Sequence, residues 1–126
     1  MSNSLRTQFV IADGGRARWV HRVHRTPVDD DFQTTRELKA GHGEGGDIAH
    51  EHQAAFGKQI AEALNAEAAK GEFSRLIVVA PARVLGAISH GLSGAAQAAL
   101  IKTLDKDLGK TPDHELAAWL RPLELS

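Results

Sequence analysis

The stretch Leu76–Ala80 is five apolar residues in a row, most of them β-branched, closed by Pro81. β-Branched side chains suit extended backbone, and an unbroken apolar run is accommodated only where both faces of a strand are covered. The run therefore predicts an interior strand with helices packed on each side. At 126 residues the chain has room for one such domain, with a core that needs no covalent staples.

Helical patterns flank the run. Between 51 and 70, Phe56, Ile60, Leu64 and Ala68 recur every four residues, and Gly71 is placed to end the helix. Downstream, Arg83–His90 reads as a short helix, and Ser93 as the cap of another reaching Leu100. Thr111-Pro112 reads as N-cap and first-turn proline for a helix over Asp113–Leu120. Ile101–Leu108 fits strand alternation and helical spacing equally.

The amino-terminal third is strand-like. Phe9–Ala12 and Arg16–Val23 are separated by Asp13-Gly14-Gly15, a hairpin signal in which the glycines would supply positive φ. A dinucleotide loop needs G-x-G-x-x-G opening a helix, which is not the pattern here. Thr26-Pro27 should break the second strand, and Asp29, Asp30 and Asp31 should form a turn before a third strand over Phe32–Leu38. The expected order is three strands, a long loop, then alternating helices and strands. It gives a single three-layer α/β domain with a mixed sheet and an N-terminal β-hairpin, its ordered core over about residues 7–121.

Charge and composition narrow the function classes. The net charge is −1, which excludes a globally basic nucleic-acid binder, yet residues 1–25 carry five arginines against one aspartate. No cysteine is present, so disulfides, thiolate metal sites and a cysteine nucleophile are excluded. Met1–Gln8 has no apolar leader character and no apolar run approaches membrane-spanning length, so a cytoplasmic protein without membrane insertion is expected.

Two features are candidates for chemistry. Arg16, Arg18 and Arg22 alternate along one face of the second strand, where guanidinium forks could grip phosphates; a solvated or edge-protecting strand face is the plainer alternative. Residues 39–53 hold Gly41, Gly43, Gly45 and Gly46 among His42, Glu44, Asp47, His50, Glu51 and His52, and are expected to form a mobile loop. His42, His50 and His52 are the metal-ligand candidates, against the alternative of a solvated polar loop, because no recognised ligand spacing accompanies them. No nucleophile elbow or carboxylate pair stands out, so no catalytic residue and no cofactor is assigned.

The segments FVIADGGRARWV, FGKQIAEALNAEAAKGEFSRLIVVAPARVLGAI and LDKDLGKTPDHELAAWL resemble the bacterial host attachment family across about residues 7–121. Its most specific pieces are ADGGRAR, FSRLIVVAPARVLGAI and KDLGKTP. That family is similar to the central domain of archaeal and eukaryotic peptide-chain release factors. The resemblance implies a ribonuclease-H-like mixed sheet and a loop corresponding to the release factors' Gly-Gly-Gln. Here the matching positions are Gly45, Gly46 and Asp47. A carboxylate in place of the amide implies loss of release-factor catalysis, with binding to the ribosome or tRNA retained and any effect on attachment indirect. A metal-dependent hydrolase using the loop histidines, or a protein–protein module pairing its sheet edges, are the alternatives.

Overall fold

The computed structural model describes residues 6–26, 29–40 and 49–125, with side chains described except at 24–26, 29–31, 49–52 and 124–125. In chain order the elements are β1 (Thr7–Ala12), β2 (Arg16–Thr26), β3 (Asp29–Lys39), α1 (Ala49–Ala69), β4 (Arg75–Ala80), α2 (Ala82–Gly91), α3 (Gly94–Ala99), β5 (Leu100–Asp105) and α4 (Ala117–Leu125). A 3₁₀ turn, Asp113–Glu115, precedes α4. The strands form one sheet in the order β3-β2-β1-β4-β5. β2 is antiparallel to β1 and β3, whereas β4 is parallel to both β1 and β5, so β2 runs against the other four.

Strand alternation divides the core in two. Val10, Trp19, Leu76, Val78 and Ala80 meet Phe56, Ile60 and Leu64 of α1, Val84 and Ile88 of α2 and Ala96 of α3. Phe9, Ile11, Val20, Ile77 and Val79 meet Leu108, Leu116 and Leu120 on the opposite face. β4 thus sends alternate side chains into two apolar layers, which is why its sequence shows no polar positions. The three-layer α/β architecture with a mixed sheet and N-terminal hairpin is as expected.

Several local expectations are corrected. Among the described residues Gly71 is the glycine with positive φ, at 71°. It ends α1 with Gly71 N–H donating to Ala68 O and Glu72 N–H to Glu67 O, the paired bonds of a Schellman cap. The Asp13–Gly15 turn needs no such conformation, because the Asp13 side chain holds it. Asp29, Asp30 and Asp31 lie within β3, since the long β2–β3 ladder pairs Thr26 with Asp29 and extends past the aspartates. The glycine- and histidine-rich segment is also shorter than expected: β3 continues to Lys39 and α1 begins at Ala49. Residues 100–105 settle as a strand, β5, where pairing with β4 decides between two evenly matched local patterns. Ser93 caps α3 as expected, accepting from Ala96 N at 3.3 Å. At Thr111-Pro112 the element that starts is the 3₁₀ turn, with Pro112 and not Thr111 as its N-cap, and α4 begins only at Ala117.

Candidate functional site at the carboxyl end of the sheet

The carboxyl ends of the parallel strands β1, β4 and β5 share one edge of the sheet with the start of β2 and the end of β3. The pairs Ala12 with Ala17 and Arg16 with Lys39 show this directly. The Asp13–Gly15 turn, the end of β3 at Ala40 and residues 106–112 therefore meet there.

Asp13 organises the edge. Its Oδ1 accepts hydrogen bonds from the amides of Gly15 and Arg16, each at 2.8 Å, and its own amide donates to Arg16 O. The Ala40 amide donates to Gly15 O at 3.0 Å, tying the end of β3 to the same turn. Gly109 packs against the Asp13 carboxylate so closely that a Cβ there would lie 2.8 Å from Asp13 Cγ. Gln53 of α1 covers Gly14 in the same way, 3.2 Å from where a Cβ would stand. A carboxylate held by turn amides and walled by Gly109 is a structural anchor, poorly placed to act as a general base.

The three arginines of β2 have different environments. Arg18 is only 7% exposed. Its Nη2 donates to Leu108 O at 2.9 Å and Thr111 O at 2.7 Å, and its Nη1 meets Asp113 Oδ1 at 3.2 Å. The expected solvent-facing basic row therefore fails at Arg18, because the 106–116 segment and α4 cover that face of β2. Arg22 is half-buried, its guanidinium 5.7 Å from the centroid of Phe32. Arg16 alone is exposed, and it sits directly opposite the exposed Lys39. Lys39 had no distinguishing signal in the sequence, because the cross-strand register that pairs it with Arg16 is not a local property.

Gly45, Gly46, Asp47 and His42 lie outside the described residues. His50 and His52 fall in the first turn of α1, two positions apart, and their side chains lie outside those described. Among the described residues no group of three or more His, Asp or Glu side chains could hold a metal ion.

On the opposite face of β2 from Arg18, a second cluster joins the strand to α1. Trp19 Nε1 donates to Glu67 Oε1 at 2.9 Å, Arg36 Nη1 meets Glu67 Oε2 at 2.7 Å, and the Arg36 guanidinium stacks 4.7 Å from the Trp19 ring centroid. His21, beside them, has its pKa lowered from 6.5 by burial and by the Arg6 charge, with Glu67 opposing.

A family model described as "Protein required for attachment to host cells" matches residues 29–120. The chain belongs to this host attachment family. The match covers β3 through the first turn of α4, so it includes the KDLGKTP segment that Arg18 and Asp13 hold in place. Comparison with curated proteins gives no match. Among solved structures, an archaeal translation termination factor, aRF1, is similar at a TM-score of 0.47 and 13% identity, over 94% of this chain and 40% of that one. The chain thus spans less than half of that protein's length. No helix among the described residues is long and apolar enough to cross a membrane.

Proposed function

We propose that this host attachment family protein is a non-catalytic cytoplasmic domain that binds RNA, of the kind presented by the ribosome or a tRNA, through the carboxyl end of its sheet, and that it affects attachment indirectly. The carrying observation is the pairing of Arg16 with Lys39 at the roots of the glycine-rich segment. Like charges directly opposite each other on a sheet destabilise it by about 0.2–1 kcal/mol. A phosphate placed between them removes that repulsion and accepts hydrogen bonds from both. Among the described residues neither cation has an ion-pair partner, and Glu37, two pairs further along the ladder and opposite Arg18, is the nearest acid on that strand. The resemblance of the sequence to release-factor central domains is the reason for naming the translation machinery.

Sedimentation of lysate through a low-salt sucrose gradient, with fluorescence polarisation on a labelled single-stranded RNA, tests the reading. Co-sedimentation with ribosomal fractions and saturable RNA binding are expected. The Arg16→Glu/Lys39→Glu double variant should weaken binding at least tenfold and flatten its salt dependence, because two phosphate contacts release fewer counterions when removed. Protein remaining at the top of the gradient, with no change in polarisation, would overturn the proposal.

A further inference from the structure

On one face of the sheet, α1 and α2 pack with their backbones unusually close. A Cβ at Gly57 would come within 2.5 Å of Ala87 Cβ and 3.0 Å of Val84 O, and one at Gly91 within 2.9 Å of Ala61 Cβ. Both glycines are therefore explained by intrachain packing. Gly86 is different. It lies mid-helix in α2 without positive φ, and a Cβ there would meet no described atom within 4 Å. Glycine inside a helix is destabilising relative to alanine, and none of the described residues requires it at this position.

Gly86 opens onto a groove of about 620 Å³ between the two helices. Its floor is apolar, built from Ala54, Ala82 and Ala87 together with Gly86, and its rim carries Lys58, Arg83 and His90, with no acid among the described residues that line it. The groove begins at the amino terminus of α2, where Pro81 provides no side-chain cap and the first turn has no acid. Unsatisfied amides and the positive helix end add to the charge of Arg83 there.

We propose that this groove docks an acidic amphipathic helix of a partner protein. The small-residue floor at Gly86 admits the close approach of a helix backbone. The apolar face of that helix fills the groove, and its flanking carboxylates meet Arg83 with the α2 amino terminus at one end and Lys58 and His90 along the rim. A second copy of the chain is disfavoured, since symmetric pairing would bring the basic rims together. RNA is disfavoured because no aromatic side chain stands among the described lining residues to stack a base. The proposal is independent of the RNA-binding reading, which concerns Arg16 and Lys39, neither of which lines the groove.

The test uses the full chain, ¹⁵N-labelled, and two hydrocarbon-stapled helical peptides that share a leucine/alanine face and carry either glutamate or lysine on its flanks. The glutamate peptide should bind saturably, with amide shifts confined to α1 and α2, and at least tenfold more tightly than its lysine twin. Lys58→Glu/Arg83→Glu should reverse the preference. Gly86→Leu should abolish binding, while Gly86→Ala should raise the unfolding midpoint by about 2–4 °C and weaken the peptide, separating docking from stability. Equal binding of both peptides, shifts centred elsewhere, or no saturable binding overturns the proposal. So does a concentration-dependent dimer lost in Gly86→Leu, or displacement of the peptide by RNA.

Discussion

Arg18 and Asp113 stand 95 residues apart in sequence and 3.2 Å apart in the fold. The Asp113 carboxylate also accepts from Thr34 Oγ1 at 2.6 Å and from the Thr34 amide at 2.9 Å, so one acid ties β2, β3 and the start of the last helical segment together. Arg18 completes the arrangement by satisfying the carbonyls of Leu108 and Thr111.

Replacing Arg18 with alanine should therefore be far more harmful than replacing Arg16. It takes the Arg18 donor from Thr111 O, leaves Leu108 O with the Thr111 amide alone, and deprives Asp113 of its counter-charge. Asp113 is 40% exposed, which lessens the penalty from the several kcal/mol seen when a fully buried pair is broken. A loss of about 2–3 kcal/mol is expected in urea denaturation, with Arg16→Ala within about 0.5 kcal/mol of the parent protein. Equal effects of the two substitutions would contradict the burial difference between them.

Gly109 and Asp13 provide a coupled pair. Adding a methyl group at Gly109 drives it into the Asp13 carboxylate, which cannot move without giving up the amides of Gly15 and Arg16. Gly109→Ala should cost about 1–3 kcal/mol. Asp13→Ala should also destabilise, by releasing the turn. In the double variant the two losses should sum to clearly less than the separate values, with a coupling of about 0.5 kcal/mol or more in a double-mutant cycle. Strict additivity would show that the two residues do not share a constraint.

These contacts mark the limit of what the chain discloses locally. Leu76–Ala80 announces a strand covered on both faces, and the four-residue recurrence of Phe56, Ile60 and Leu64 announces the helix that covers one of them. Gly71 and Ser93 act as caps as their types suggest. Arg18 was legible as part of a basic strand face, yet its period-two spacing is the same whether that face meets water or a helix. Only tertiary packing, with Leu116 and Leu120 laid over Phe9 and Ile11, turns it inward. The pairing of Arg16 with Lys39 depends on β2–β3 register, and the turn preference of Asp29–Asp31 is overridden by the same ladder. For Asp113 and Lys39 no local signal exists, because each owes its position to residues far away in sequence.

Gly57 should be intolerant of even one methyl group. Its virtual Cβ lies 2.5 Å from Ala87 Cβ and 3.0 Å from the Val84 carbonyl, and backbone cannot yield as a flexible side chain does. Gly57→Ala improves helix propensity by up to about 1 kcal/mol but forces α1 and α2 apart, so a net loss of about 1–3 kcal/mol is expected. The compensating change Ala87→Gly should restore part of it. Thermal unfolding of the two single variants and the double variant checks this, and a Gly57→Ala protein more stable than its parent would show the helices to be less tightly joined.

His21 makes stability depend on pH in a definite direction. Burial, reinforced by the Arg6 charge, lowers its pKa in the folded protein below the 6.5 of the unfolded chain, despite the opposing Glu67. Between the folded value and about 6.5 the unfolded chain binds more protons than the folded one, so unfolding is favoured as pH falls. The contribution of neutral His21 is fully present above about pH 6.5 and is lost as pH drops through that value towards the folded pKa. Arg6 and Arg36 lie around the same cavity and remain charged throughout, so they do not titrate in this window. Urea midpoints measured from pH 5 to 8 should decline on the acid side more steeply for the parent protein than for His21→Gln. A parallel pair of curves would show that another group governs the acid limb, and a NMR titration of the His21 ring with its midpoint above 6.5 would reverse the sign of the argument.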